Sequence, residues 1–362
     1  MKPFPPSSPE RFVQLDALRF AFAVIVVLVH TIGFRLTLIH GGFAVDFFFI
    51  LSGFVLSHAL IDRPAPSAQF AWARLARLYP LHLAMLLWLL FLVAGVLADS
   101  PSNYQLTALG LNLVLLQGVW AADVHTWNFP SWSISVEFVV NVLLLYPVVR
   151  ARNTAVAAAI VLLSGAAIVA AWGPVFDEFT IQPIHGTFLA GGLLRGAGGI
   201  LLGYLLYEAY LVLQPRFARP PRSVIHLATG FEIVVIGALV FSLWVDDLGW
   251  NLLPVPLSAV LILQMAAVPG RVANLLQGRT FAFLGGISYS IYLIHIPLFA
   301  TFVGADLLPL PDTAYSVVWP AYFAFLLALS TASYRYLEQP AQRALMRLFK
   351  GWRTTPSHET PA

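Results

Sequence analysis

Residues 15–36 read LDALRFAFAVIVVLVHTIGFRL, and residues 43–60 read FAVDFFFILSGFVLSHAL. Each stretch is long and apolar enough for a helix that crosses ~30 Å of hydrocarbon. Ionisable side chains are costly at that depth, so Arg19 near one end and His30 near the middle of the first stretch are functional candidates. In a regular helix, the interval from Arg19 to His30 makes about three turns. Both side chains would then lie on nearly the same face, about 16 Å apart along the helix axis. This separation fits a cation that holds one end of a long ligand and a base that acts at its other end.

The composition is that of a membrane protein. Of the 362 residues, 59% are hydrophobic and 10% are charged, against about 25% charged residues in soluble proteins. The apolar runs are too long for barrel strands, so we predict an all-α polytopic integral membrane protein that has the lipid bilayer as a partner. The net charge of +3 is spread between apolar runs, which argues against a nucleic-acid partner. The chain has no cysteine and no metal-ligand spacing, so we expect neither thiolate chemistry nor a metal site.

The positive-inside rule indicates how many apolar segments cross. Eleven candidates lie near residues 17–38, 43–61, 80–98, 106–120, 132–149, 154–173, 191–213, 226–245, 252–268, 284–303 and 316–337. If 106–120 is a short re-entrant or outer-side segment, nearly every Lys and Arg falls on one side. We therefore predict about ten transmembrane helices in a multi-pass protein of the inner or plasma membrane, with both termini cytoplasmic. The corresponding domains are a tail at 1–14, a transmembrane domain at 15–340 and a basic tail at 341–362.

A second place for chemistry is the interval 62–79, which we predict to be a cytoplasmic loop. It contains Arg74 and Arg77, whose side chains would share a face if the interval were helical. The planar guanidinium groups of a paired arginine motif suit a phosphate. Basic residues beside a span are also ordinary topology signals that contact anionic headgroups.

Small and acidic residues in the second span have two interpretations each. Ser52 and Gly53 either permit close helix packing or let a bound ligand approach the backbone. Asp46, at the outer end of the same span, is either interfacial or part of a site.

Polar side chains also occur in two later spans. A lipid-facing carboxylate is improbable at the position of Glu137, so this residue should face the bundle interior and pair with Arg or His, or stay protonated. Trp132 marks an interfacial entry to that span. Tyr289 and His295 lie in a later span, where a histidine either forms an interhelical hydrogen bond or takes part in chemistry.

Taken in order, these residues resemble the signature of the membrane acyltransferase 3 family. The matching motifs are Arg19-x10-His30, Asp46-Phe-Phe with Ser52-Gly53-Phe54, Arg74-x-x-Arg77, Trp132-Ser133-x-Ser135-x-Glu137, Gly286-Ile-Ser288-Tyr289-Ser290 with Tyr292-Leu-x-His295, and Glu338-x-Pro340. The resemblance implies a ten-span membrane domain that transfers an acyl group, usually acetyl from cytosolic acetyl-CoA, to a hydroxyl of a carbohydrate or lipid-linked glycan. It also implies that His30 and Arg19 form the essential pair.

Within this family, the residues fall into three expected roles. The catalytic residues are His30, as general base or acyl relay, Arg19 as its essential partner, and Glu137, which would orient His30 or stabilise its protonated form. Acetyl-CoA would be a co-substrate and not a permanently bound cofactor. The residues expected at the CoA are Arg19, Arg74, Arg77, Ser52 and Gly53, and those expected at the acceptor are Asp46, Trp132, Tyr289 and His295.

Two other classes of protein would also place charges inside a bundle. A proton-coupled transporter or exporter uses Arg, His and Glu as a relay. An assembly protein uses buried charges only to fix helix packing. Neither needs a cationic pair in line with an intramembrane base, so the ordered motifs favour the acyltransferase. The acceptor, the acyl chain and the oligomeric state stay open.

Overall fold

The computed structural model describes residues 11–33, 41–95, 106–120, 127–173, 182, 190–244, 253–304 and 315–354, and these residues contain helices and turns but no β-strand. The α-helices are α1 (Val13–Leu28), α2 (Phe43–Asp62), α3 (Ser67–Gly95), α4 (Leu106–Leu113), α5 (Trp132–Val140), α6 (Tyr146–Ala151), α7 (Thr154–Trp172), α8 (Gly191–Leu213), α9 (Arg222–Ser242), α10 (Pro254–Ala267), α11 (Arg271–Leu275), α12 (Arg279–Gly304), α13 (Tyr315–Ser333) and α14 (Gln339–Thr354). The predicted all-α membrane fold is confirmed.

The lengths of the helices bear on the number of crossings. Within the described residues, eight helical segments are long and apolar enough to span a membrane, namely α1, α2, α3, α5 with α6, α7, α8, α9 and α12. Two further apolar helices, α10 with 14 residues and α13 with 19 residues, could complete the ten predicted crossings. By contrast, α4 has 8 residues and is only about 12 Å long. The described part of the segment 106–120 contains no longer helix, and its interpretation as a re-entrant or outer-side segment stays a prediction.

Burial distinguishes central helices from peripheral ones. The spans of α12 and α2 are buried over 67% and 61% of their length, whereas those of α7 and α9 are buried over only 17% and 22%. A helix that is apolar on all sides but little buried by the protein is typical of a helix that contacts lipid. The polar residues of the predicted site lie on the central helices.

The central helices α1 and α12 run parallel to each other. At their beginnings, Arg11 donates from Nη2 to the carbonyl oxygen of Ala282 over 2.8 Å. One turn further, a Cβ atom on Gly285 would lie 2.4 Å from the Cβ of Asp16, so the glycine permits close contact. Further along both helices, His30 in the turn after α1 contacts His295 in the second half of α12. This packing brings the motifs around Arg19 and Tyr289 to one side of the bundle.

Close backbone contact also joins α2 to α8. A Cβ atom on Gly53 would lie 1.9 Å from the carbonyl oxygen of Ile200, and one on Gly203 would lie 2.0 Å from that of Ile50. Small residues at such a contact let two helices approach closely. Of the two interpretations of Gly53, the structure therefore supports helix packing. The structure does not place Gly53 in the lining of either described cavity, so a contact of Gly53 with a ligand stays a prediction.

The predicted loop at 62–79 is wrong over most of its length. Helix α3 begins at Ser67 and continues through Pro80, so Arg74 and Arg77 lie one turn apart on a helix. The apolar pattern alone placed the start of this helix near residue 80, because the preceding turns are amphipathic and carry these arginines. Their polar face points into the bundle and not into water.

The helical ends differ from the predicted tails. Helix α1 begins at Val13, inside the predicted tail, while residues 1–10 lie outside the described part of the chain. The predicted C-terminal tail is helical through Thr354. This last helix, α14, packs on α3, where the indole of Trp72 donates to the carbonyl oxygen of Leu345 over 2.9 Å and stacks on Phe349.

Three short π-helical turns occur among the described residues, each directly after an α-helix. They are Val29–Gly33 after α1, Asn141–Leu145 after α5, and Tyr334–Glu338 after α13. Such turns occur frequently at functional sites, because the extra residue per turn redirects the side chains. The three turns carry His30, Asn141 and Glu338, and each of these residues takes part in the polar network described next.

Candidate active site

A cavity of about 180 Å³ lies between α1, α2, α3, α5 and α12. Its polar lining consists of Arg19, Ser52, Arg74, Arg77, Ser133, Glu137, Ser288, Tyr289 and Tyr292. Six of the predicted site residues therefore meet here, namely Arg19, Ser52, Arg74, Arg77, Glu137 and Tyr289. With three arginines and one glutamate, the lining carries a net positive charge that favours an anionic ligand.

The carboxylate of Glu137 forms a polar cluster on one wall. Its Oε1 accepts from the hydroxyl of Ser52 over 2.7 Å and from Nη2 of Arg74 over 2.5 Å. The side-chain amide of Asn141 donates to the Ser52 hydroxyl over 3.4 Å. The carboxylate thus pairs with an arginine, one of the two expected partners. The structure directs this carboxylate to Arg74 and Ser52 and does not place it against His30.

Arg77 is held on the adjacent wall. Its Nη1 lies 2.8 Å from Oε2 of Glu338, a buried carboxylate that also accepts from the hydroxyl of Ser290. The Arg77 guanidinium lies over the ring of Tyr289, 5.0 Å from the ring centroid, and the Tyr289 hydroxyl donates to the carbonyl oxygen of Leu78. These contacts fix the guanidinium at the edge of the cavity.

Arg19 lines the same cavity from α1. Its Nη1 lies 3.6 Å from Oδ1 of Asp16, while Oδ2 of Asp16 accepts from Nε of Arg11 over 2.6 Å. One carboxylate thus faces two arginines. The Arg19 side chain remains 34% exposed, so its guanidinium is accessible to a bound anion.

His30 is paired with a second histidine. Its Nδ1 lies 2.9 Å from Nε2 of His295, and the two rings stack with centroids 5.2 Å apart and planes inclined by 6°. Nδ1 of His295 lies 2.7 Å from the carbonyl oxygen of Tyr292. Because a carbonyl only accepts, Nδ1 of His295 carries the proton, and the Nε2 of a neutral His295 accepts from Nδ1–H of His30. This arrangement leaves the lone pair of neutral His30 on Nε2.

The histidine pair lies beyond the end of the cavity. Tyr292 closes that end: its hydroxyl contacts the Ser133 hydroxyl over 2.8 Å and the carbonyl oxygen of Pro130 over 2.9 Å. Its ring contacts both Phe48 and His295. His30 lies in the π-helical turn Val29–Gly33, the last described turn of a span whose helix begins at Val13, and residues 34–40 of the predicted span lie outside the described part of the chain.

Asp46 and Trp132 form a separate buried cluster. Both oxygens of Asp46 accept from Arg195, over 3.0 Å from Nε and 2.6 Å from Nη2, and Arg195 also donates to the carbonyl oxygen of Gly42 over 2.9 Å. The guanidinium lies over the ring of Trp132 at 5.8 Å. The structure therefore does not bring Asp46 or Trp132 to the cavity, where they were expected to contact an acceptor. Nor does it place His295 there, because that residue is engaged with His30.

The comparison with known proteins agrees with this arrangement. A family model described as an acyltransferase domain matches residues 12–335, nearly the whole chain. The chain belongs to the acyltransferase 3 family. The resemblance inferred from the ordered motifs is thereby confirmed.

Individual relatives of this acyltransferase 3 protein cover different parts of it. The Bacillus subtilis (strain 168) protein named "Putative peptidoglycan O-acetyltransferase YrhL" is 24% identical over 386 residues, which cover 94% of this chain and 58% of the relative. "Acyltransferase MdmB" of Streptomyces mycarofaciens is 37% identical over 107 residues, which cover 27% of this chain and 26% of that protein. "Protein 2 in picA locus" of Rhizobium radiobacter is 33% identical over 155 residues, which cover 37% of this chain and 81% of that protein.

The chain thus spans little more than half of the first relative and about a quarter of the second. No solved structure matches it.

Several residues of this acyltransferase 3 protein were not assigned to the site from the sequence, although the structure places them in or beside the polar clusters. Tyr292 and Glu338 belong to quoted motifs but received no role, and Asp16 and Arg195 received none either. A signal existed for Arg195: a guanidinium in an otherwise apolar, glycine-rich span needs a carboxylate partner. No sequence signal pairs it with Asp46, which lies 149 positions away.

Proposed function

We propose that this chain is an integral-membrane O-acyltransferase that moves an acyl group, normally acetyl, from acyl-CoA to a hydroxyl of a carbohydrate or lipid-linked glycan. Membership of the acyltransferase 3 family supports the reaction class. The printed name of the B. subtilis relative, a peptidoglycan O-acetyltransferase, supports a glycan as the acceptor. The observation that carries the proposal is the arrangement of two features of the same helix. Arg19 on α1 lines the arginine-rich cavity, and His30, in the turn after α1, pairs with His295.

The cavity suits the donor. Arg19, Arg74 and Arg77 present guanidinium groups at its wall, and these groups bind phosphate oxygens by paired, charge-assisted hydrogen bonds. The apolar part of the wall, with Phe48 and Leu51, suits the arm that carries the thioester. Acetyl-CoA enters from the cytosol if both termini are cytoplasmic in an inner or plasma membrane, as the distribution of charges predicts.

His30 supplies the base. As the oxygen of the acceptor hydroxyl attacks the thioester carbonyl, Nε2 of His30 takes the hydroxyl proton, and the CoA thiolate leaves and takes up a proton. His295 positions this nitrogen by accepting the Nδ1 proton of His30. In a relay, the same Nε2 would first take the acyl group itself.

Tyr292 stands between the cavity and the histidines, so the reaction requires its side chain to move when the donor binds. Its hydroxyl contacts, to Ser133 and the carbonyl oxygen of Pro130, would be exchanged in that movement. The ring lies between Phe48 and His295, at centroid distances of 5.8 Å and 6.1 Å. A shift of this one ring would join the two parts of the site.

The test is acyl transfer by purified protein in detergent. Wild type, His30→Ala and Arg19→Ala are given acetyl-CoA and a panel of sugars and lipid-linked glycans, and free thiol and labelled product are followed. We expect wild type to release thiol with an acetylated product and both folded variants to lose activity. Leu162→Ala, on the exposed surface of α7, serves as control. If wild type shows no turnover and His30→Ala instead alters proton-coupled flux in vesicles, the transporter alternative replaces this proposal.

A further inference from the structure

A second cavity, of about 480 Å³, adjoins the first. The two cavities share Arg19 and Arg77, and the second is also lined by Arg11 and Arg343. We propose that the second cavity binds the phosphate-bearing end of a nucleotide thioester, with the thioester arm in the first cavity. This inference rests on the proposed function and adds a binding site to it.

The charge of the second cavity is the first argument. It is lined by four arginines, and no carboxylate is among its described lining residues. Arg11 contacts Asp16, and Arg77 contacts Glu338. For Arg343 the described partner is neutral, the side-chain oxygen of Gln339 at 2.7 Å. Its exposed guanidinium therefore keeps a positive charge that an anion can neutralise.

The connection between the cavities is the second argument. Because Arg19 and Arg77 line both, a ligand can place phosphates between these residues and extend in both directions. A nucleotide thioester of the CoA type has a diphosphate next to its arm and a further phosphate on its ribose. Arg19 and Arg77 are placed for the diphosphate, and Arg343 is placed for the ribose phosphate.

The position of Arg343 on the last helix is the third argument. It lies on α14, which the packing of Trp72 against Leu345 and Phe349 holds on α3, the helix of Arg77. The family model ends at residue 335. The last helix thus adds Gln342 and Arg343, which lie outside the quoted motifs, to a cavity that Arg19 and Arg77 of those motifs also line.

The test compares donors that differ in their phosphates, using Arg343→Gln in neutral detergent. We expect the KM for acetyl-CoA to rise roughly tenfold or more, since a charge-assisted hydrogen bond is lost, and kcat to stay unchanged. For acetyl-pantetheine, which has no nucleotide, the KM of the variant should equal that of wild type. Arg347→Gln, one turn further on α14 and exposed, is the matched control and should leave both KM values unchanged.

Binding of CoA and of 3′-dephospho-CoA by calorimetry separates this inference from the proposed function. Wild type should bind CoA more tightly, and Arg343→Gln should remove that preference. If wild type shows this preference but no turnover, the site stands and the acyl-transfer proposal fails. Equal effects of Arg343→Gln and Arg347→Gln overturn the inference. So does an Arg343→Gln variant that changes only the response to phosphatidylglycerol vesicles, because the cavity would then hold a lipid headgroup.

Discussion

Nδ1 of His30 lies 2.9 Å from Nε2 of His295, and this contact joins the π-helical turn after α1 to the second half of α12. The hydrogen bond from His295 to the carbonyl oxygen of Tyr292 determines the proton position on both rings. In the proposed mechanism, His295 would act on the acceptor hydroxyl only through His30 and would be a positioning residue.

This role predicts different outcomes for two substitutions of His295. His295→Leu removes the acceptor for Nδ1–H of His30, so we expect kcat to fall by up to about 10⁴-fold, the loss known when a catalytic histidine loses its orienting carboxylate. The KM for acetyl-CoA should change less than twofold. In His295→Gln the amide oxygen can still accept the proton, so part of kcat should return. Steady-state kinetics checks this, and equal losses in both variants, or a loss confined to KM, would contradict the positioning role.

A second prediction concerns the pair of Arg74 and Glu137 on the cavity wall. Arg74→Gln lowers the net positive charge of the lining and leaves the carboxylate facing the donor phosphates, so we expect the KM for acetyl-CoA to rise about tenfold or more. Adding Glu137→Gln restores the net charge of the lining, and KM should recover in part.

A double-mutant cycle on KM measures this coupling. Strictly additive effects of the two changes would show that the carboxylate does not oppose the donor. The oligomeric state and the melting temperature of each variant in detergent serve as controls for folding.

The sequence alone predicts the helical fold and the family, because apolar runs of bilayer length leave few alternatives. It also predicts which residues gather at the cavity when each of them is costly to bury, as Arg74 and Glu137 are. The pairing between these residues is not predicted. Glu137 could bind any cation inside the bundle, and only the packing of α3 beside α5 gives it Arg74 and not His30.

Two other features depend on local geometry that no spacing rule contains. The face on which His30 lies is set by a π-helical turn, and a regular 100° step per residue does not describe such a turn. The small size of Gly53 predicts a close approach, and the group that approaches it in the structure is the α8 backbone. A small residue in the sequence thus predicts a close contact at its position, and only the tertiary structure shows which group makes that contact.

A third prediction addresses the buried pair of Asp46 and Arg195. Arg195→Gln leaves a buried carboxylate without its cation, which should destabilise the protein by about 3–5 kcal/mol. Adding Asp46→Asn should recover much of this loss because no buried charge then remains. Arg152→Gln, which disturbs the exposed pair with Glu208, is the control and should cost at most about 1 kcal/mol. Thermal unfolding in detergent measures all three, and equal melting temperatures for Arg195→Gln and Arg152→Gln would contradict the assignment.

The last prediction compares two glycines in transmembrane helices. In Gly53→Ala the new methyl group would meet the Ile200 carbonyl oxygen at 1.9 Å, so α2 and α8 must separate. Gly230→Ala adds the same group in α9 with no atom within 4 Å, and it should be neutral or stabilising by up to about 1 kcal/mol, the helix propensity difference between the residues. We expect Gly53→Ala to lower the melting temperature and the folded yield even without a donor. If Gly53→Ala instead keeps its stability and loses only acetyl-CoA binding, the ligand interpretation of Gly53 is correct and the packing interpretation fails.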